Sequence, residues 1–153
     1  MAYAEKLHRR LVEDLNRELG TLNYQTMMIY QPMPKLFGEI SQKSGGNMLG
    51  LEQQEHNAIL FTGSVIVKTS KKDFALAQTR LATLTAKVEE YAASIRGSNK
   101  LVYMNYASQF QDSLASYGKK NVEFIRKVAE KYDPSAAFQK RFVGGFKVSK
   151  VDV

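Results

Sequence analysis

The residues best equipped for chemistry sit together in the stretch LVYMNY at 101–106, where Tyr103, Asn105 and Tyr106 place two phenols and a carboxamide within four residues. A phenol donates one proton and accepts at its oxygen, and a neighbouring carboxamide can orient that proton or hold a ligand. Proton transfer by such a phenol near neutral pH requires a partner that lowers its ordinary pKa of about 10. Lys100 is the nearest cation in sequence. The same residue types also have a plainer use, as half-buried strand aromatics with Asn105 satisfying a loop backbone. On a strand, alternation would set Tyr103 and Asn105 on one face and Met104 and Tyr106 on the other.

Other chemistries are poorly supplied. The chain has no cysteine, which excludes disulfides, thiolate zinc sites and thiol nucleophiles. Gly45 and Gly50 have the spacing of a phosphate-binding loop, but Leu51 stands where its lysine would be. Neither a Gly-x-Gly-x-x-Gly turn nor a Gly-x-Ser-x-Gly elbow occurs. His8 and His56 are far apart and lack a carboxylate at ligand spacing, so no metal is expected. Most of the net charge of +7 falls between 119 and 150. It lies on both sides of apolar helix positions with no nucleic-acid motif beside it, and reads as a solvated face rather than a nucleic-acid surface.

These residues must be positioned by a chain of 153 residues, enough for one domain with one core. Leu7, Leu11, Leu15 and Leu19 recur every fourth residue, and Glu5–Arg9 and Glu13–Arg17 are spaced for ion pairs; this predicts a helix over 4–19 stopped by Gly20. Residues 22–31 read as a strand ended by the prolines at 32 and 34, followed by a short helix over 34–42 and a glycine-rich loop over 44–50. Residues 58–67 read as a buried strand with Ile59, Phe61, Val65 and Val67 on one face. A long helix over 71–96 carries the stripe Phe74, Ala77, Leu81, Leu84, Val88, Tyr91 and Ile95. Residues 101–106 read as a third strand. Val122, Ile125, Ala129 and Tyr132 mark a last helix, stopped where Asp133 precedes Pro134 and can cap a new turn begun by that proline. The expected fold is α+β, a small, mostly antiparallel sheet covered on one face by helices. The longest apolar run, 58–67, is too short to span a bilayer, and the N-terminus lacks the apolar segment of a signal peptide, so a cytoplasmic protein is expected.

Beyond residue types, YMNYASQFQDSLASYG at 103–118, NVEFIRKVAEKYDPSAAFQK and GGFKV downstream, and YQPMP and GGNMLGL upstream keep a common order over roughly 22–148. The set resembles the C-terminal half of FAD-linked oxidases of the vanillyl-alcohol-oxidase type, in the berberine-bridge-enzyme-like branch found in fungi. The resemblance implies that the strand carrying Tyr103, Asn105 and Tyr106 faces the flavin ring and the substrate. Tyr103 or Tyr106 is then the proton-transfer residue and Asn105 a substrate-binding group, with Tyr30 and Gln31 as further cavity-lining positions. Gln111, Asp112, Tyr117 and Gly118 stand as the family has them, whereas Ser108, Phe110 and Val143 depart from it.

In that family FAD is gripped by an N-terminal domain outside the part this sequence resembles, so the chain is expected not to bind FAD tightly by itself, and redox catalysis by it alone is not expected. The primary expectation is a stand-alone protein of secondary metabolism that binds an apolar small molecule and performs a non-redox isomerisation or cyclisation. The alternative is a subunit or truncated part of an FAD-dependent oxidoreductase that needs a separate flavin domain; the plainest is a folded fragment without activity. A sheet face left bare by the missing domain predicts self-association, most simply a homodimer.

Overall fold

Three leucines of the first helix make one apolar stripe, and α1 (Ala2–Leu19) buries all three, Leu7, Leu11 and Leu15. The computed structural model describes residues 1–152. After α1 come β1 (Tyr24–Met33), α2 (Leu36–Lys43), β2 (Ala58–Val67), α3 (Lys71–Ser94), α4 (Lys119–Tyr132) and a single helical turn, α5 (Ala137–Lys140). Among the described residues four 3-10 turns punctuate the loops. The chain divides into two compact units, Met1–Gln31 with Ile59–Ser98, and Pro32–Ala58 with the chain from Asn99 onward.

The first unit is a helix-covered sheet. β1 and β2 form a two-stranded antiparallel sheet. Its register is fixed at two points: the Lys68 N–H donates to the Asn23 carbonyl at 2.9 Å, and the rings of Tyr30 and Phe61 meet at 5.7 Å. Along β1, Tyr24, Thr26, Met28 and Tyr30 turn inward while Gln25, Met27, Ile29 and Gln31 are exposed, the period of two that a half-buried strand imposes. Tyr24, Met28, Phe61, Val65 and Val67 pack against the α1 leucines and against Ala77, Leu81, Leu84 and Val88 of α3. The α+β class, with a small antiparallel sheet covered by helices, is therefore as expected.

Several details differ. β1 does not stop at Pro32. In the observed register the backbone groups of odd-numbered β1 residues turn toward β2 and those of even-numbered residues away from it. Pro32 thus lies with its missing N–H on the free edge, where a strand tolerates proline. Ile59 shares the parity of Phe61 but is 53% exposed. The ends of the α3 stripe are also exposed: Phe74 and Ile95 are not core, and Tyr91 stacks on Tyr3 at 4.5 Å instead. Of the two expected ion pairs on α1, Arg9 meets Glu5 at 2.5 Å, but Arg17 takes Asp14 at 3.2 Å rather than Glu13. α3 begins with a cap in which the Asp73 N–H donates to Ser70 Oγ at 3.1 Å while the Thr69 and Ser70 hydroxyls donate to the Asp73 carboxylate.

The second unit is built around Leu114, Tyr117, Val122, Val148 and Val151, joined by Leu101, Met104, Ile125 and Phe146. α2 sits directly on the turn at Leu51–Gln53, and a Cβ at Gly38 would lie 2.4 Å from the Leu51 carbonyl oxygen, so only glycine fits there. α4 buries Val122, but Tyr132 is 74% exposed at its end and does not belong to the core. Asp133 stops the helix and caps the next turn as its position before proline predicts. A hydrogen-bonded turn begins at Pro134, with the Ala136 N–H on the Asp133 carbonyl at 2.8 Å, and the Asp133 carboxylate then accepts from the N–H groups of Ala137 and Phe138 at 2.8 and 2.9 Å, at the start of α5.

Candidate functional site

No third strand forms at 101–106. The reason lies one residue before the tyrosines. A strand would need the Val102 N–H and carbonyl for its ladder, yet the N–H donates to Ser116 Oγ at 3.0 Å and the carbonyl accepts from Ser113 Oγ at 2.8 Å. Ser113 is fully buried, and Ser116 Oγ also donates to the Ser113 carbonyl at 2.6 Å. The chain leaves this clamp extended at Tyr103 and closes a 3-10 turn over Met104–Tyr106, with the Tyr106 N–H on the Tyr103 carbonyl at 3.0 Å. Leu101 and Met104 anchor the segment in the core on either side.

The turn brings the three candidate side chains together. Asn105 Nδ2 donates to Tyr103 Oη at 2.9 Å, and the Tyr103 and Tyr106 rings meet edge to face at 5.2 Å and 89°. Tyr103 is half-buried; Asn105 and Tyr106 are exposed, Tyr106 by 53%. With one lone pair of Tyr103 Oη taken by Asn105, its O–H points to whatever occupies the open side. Among the described residues no cationic side chain hydrogen-bonds either phenol, Lys100 included. The loop that follows is fixed locally: the Ser108 N–H donates to Gln111 Oε1 at 2.9 Å and the Ala115 N–H to Asp112 Oδ1 at 3.0 Å. Tyr117 is a core residue, and Gly118, at φ +87°, turns the chain into α4.

Tyr30 and Gln31 belong to the first unit and point to opposite faces of the sheet. Gln31 is exposed on the side away from the helices. Tyr30 faces α1 beside a cavity of about 290 Å³ lined by Met1, Glu5, His8 and Met28, and its hydroxyl is buried with no hydrogen-bond partner. Burial, and secondarily the Glu5 carboxylate, push the Tyr30 phenol above its ordinary pKa. Tyr24 shows the contrast on the same strand: its hydroxyl reaches Asn16 Oδ1 at 2.8 Å and the Val12 carbonyl at 3.0 Å. The Thr26 hydroxyl spends its proton on the Ser64 carbonyl at 2.8 Å, so His8 Nε2, at 3.3 Å, must be the donor to Thr26 Oγ1. Burial holds the His8 pKa below its ordinary value.

A second cavity, about 390 Å³, lies in the other unit between the 46–48 loop and α4, lined by Asn47, Met48, Lys120, Phe124 and Lys127 among others. Neither cavity is lined by Tyr103, Asn105 or Tyr106. Among the described residues no group of three or more His, Asp or Glu could hold a metal ion, and no helix is long and apolar enough to cross a membrane. For a flavin the fit is partial. Tyr103 and Asn105 offer hydrogen-bonding groups to a ring system, but the glycine-rich loop does not offer a phosphate cradle, because the Gly45 and Gly46 N–H groups are already bonded to the Gln42 and Ser41 carbonyls.

The serine clamp was not foreseen from the sequence, and only the Ser113-x-x-Ser116 spacing beside the tyrosine segment hints at it. The unpaired Tyr30 hydroxyl has no sequence signal.

Comparison with known proteins gives the site its context. No protein-family model matches the chain, and no solved structure matches it. The chain is 34% identical over 99% of its length to the FAD-dependent monooxygenase drtC of Aspergillus calidoustus, of which it spans 28%. It is 39% identical over 84% of its length to the FAD-dependent monooxygenase sdcF of Emericella nidulans, spanning 26% of that protein, and 27% identical over 96% to the FAD-dependent monooxygenase tpcD of Cochliobolus heterostrophus, again spanning 28%. Almost all of this chain thus corresponds to little more than a quarter of several fungal proteins named as FAD-dependent monooxygenases.

Proposed function

We propose that this chain supplies one wall of the substrate chamber of an FAD-dependent oxidoreductase, completed by polypeptide equivalent to the larger remaining part of its relatives. The observation that carries the reading is the Asn105–Tyr103 hydrogen bond at 2.9 Å, braced by the Ser113 and Ser116 clamp. It supports Tyr103 over Tyr106 as the proton-transfer residue. The Asn105 amide holds the Tyr103 oxygen and leaves its O–H free to donate to, or share a proton with, a polar group of the substrate. Asn105 keeps the oxygen's free side turned outward, and Tyr106 presents a ring against which an apolar substrate can pack. When bound, FAD supplies the electron acceptor; the chain's own residues bind, orient and move one proton. The finer likeness to the berberine-bridge branch of the vanillyl-alcohol-oxidase type fits this division of labour.

The test is turnover in the assembled flavoprotein with Tyr103→Phe and Tyr106→Phe compared. Loss of a positioned acid or base lowers rates by about 100- to 10,000-fold, so Tyr103→Phe is expected in that range and Tyr106→Phe well short of it. Equal, small effects would remove Tyr103 from the chemistry.

The stand-alone reading, an apolar small molecule bound and converted without redox chemistry, is favoured by one observation: the buried, unpaired Tyr30 hydroxyl beside its cavity. Conversion of a substrate by the chain alone, lost in Tyr30→Phe, would make this the better description.

A further inference from the structure

The sheet of the first unit has two strands of ten residues, and neither carries a single charged side chain. In a chain that is 24% charged, that is the composition of strands meant to be covered. One face is covered, by α1 and α3. The other is not: Met27, Ile29 and Ile66 are 49%, 46% and 52% exposed, in line with Gln25, Gln31, Leu60, Thr62 and Ser64 by strand parity.

The two edges are also unequal. On β1 the outward backbone groups belong to even-numbered residues, and Pro32 is one of them, a guard against strand addition. On β2 the same register turns the backbone of Ile59, Phe61, Gly63, Val65 and Val67 outward, with no proline and no charge among them. Among the described residues no other strand pairs with β2, and no hydrogen bond outside the sheet reaches these five residues. A strand of roughly 30 Å thus has one open edge. A two-stranded ribbon is also marginal without further strands.

We infer that the β2 edge, with the adjoining Met27, Ile29 and Ile66 face, is the docking surface for the polypeptide that corresponds to the rest of the relatives. The partner adds a strand antiparallel or parallel to β2 and lays apolar side chains over the bare face. The occupant is chosen by length. The relatives with which this chain aligns end to end contain more than three times as much polypeptide, and a net charge of +7 opposes the close approach of a second copy. The inference rests on the proposed function and locates the junction it requires.

The full chain is co-expressed with drtC lacking its matched segment, and the purified complex is compared with the chain alone by hydrogen exchange. Co-purification is expected, with at least tenfold slower exchange at Ile59, Phe61, Gly63, Val65 and Val67. Met27→Lys and Ile66→Lys are expected to reduce capture tenfold or more, whereas Phe142→Lys, at a residue 63% exposed in the other unit, leaves it unchanged. Failure to co-purify overturns the inference. So does slowing at β2 that depends only on the concentration of the chain itself, which marks a homodimer. Protection confined to the segment from Asn99 onward overturns it too, while leaving the proposed function standing. Protection at β2 with no effect of Tyr103→Phe on turnover upholds the docking surface and sinks the proposed function instead.

Discussion

Replacing Tyr30 by Phe should stabilise the free chain, against the usual direction of a core substitution. The Tyr30 hydroxyl is buried and has no partner, and a buried polar group left unpaired costs about 1–3 kcal/mol. Phe keeps the ring and its contact with Phe61 at 5.7 Å. The substitution removes one oxygen and leaves a void smaller than a methyl group, beside a cavity that already exists, so the offsetting packing loss is well under about 1 kcal/mol. The net expectation is a gain of about 0.5–2 kcal/mol. For a chain of this size 1 kcal/mol corresponds to about 2–4 °C in Tm, so a rise of a few degrees should be seen by circular dichroism. The Tyr24→Phe control should do the opposite, because that hydroxyl is bonded to Asn16 and Val12. If Tyr30→Phe melts lower than the parent, the hydroxyl has a partner and the contrast with Tyr24 fails.

Other outcomes follow from the same geometry. Ser113→Ala removes a fully buried hydroxyl from the Val102 carbonyl and should cost about 1–3 kcal/mol, with a loss of the Tyr103–Tyr106 ring contact visible as a shift in tyrosine ring resonances. Leu15→Ala, at a residue with no exposure, should cost about 2–5 kcal/mol in urea unfolding. His8 titrates below its ordinary pKa because it is buried, so the unfolded chain binds its proton first. The His8 contribution to stability is complete above about pH 6.5 and declines as pH falls through that value toward the folded pKa. An imidazole resonance that titrates at or above the ordinary value would reverse the sign.

Periodicity carried the fold a long way. Leu7, Leu11 and Leu15, the inward residues of β2 from Phe61 onward, and the centre of the α3 stripe were legible because burial on one face writes itself into spacing of four, two and three-four. The candidate tyrosines were legible as a group for the same reason of local order. Their conformation was not. Whether LVYMNY pairs as a strand depends on where the Val102 backbone finds its hydrogen bonds, and Ser113 and Ser116, eleven and fourteen residues away, supply them. Pro32 was misleading in a similar way: proline ends a central strand but not the free edge of one, and the edge is a property of the pairing. The exposed ends of α3 and the exposed Tyr132 reflect apolar residues whose spacing fits a stripe longer than the surface available to cover it.

On the function proposed above, Tyr103 and Tyr106 look into a chamber closed by another stretch of polypeptide. The direct measurement is NMR of the chain with ring-labelled tyrosine, before and after addition of the flavin-loaded remainder of a relative. The Tyr103 and Tyr106 signals are expected to move on binding while that of Tyr117, packed in the core, stays in place. Binding that leaves both signals unmoved would contradict it.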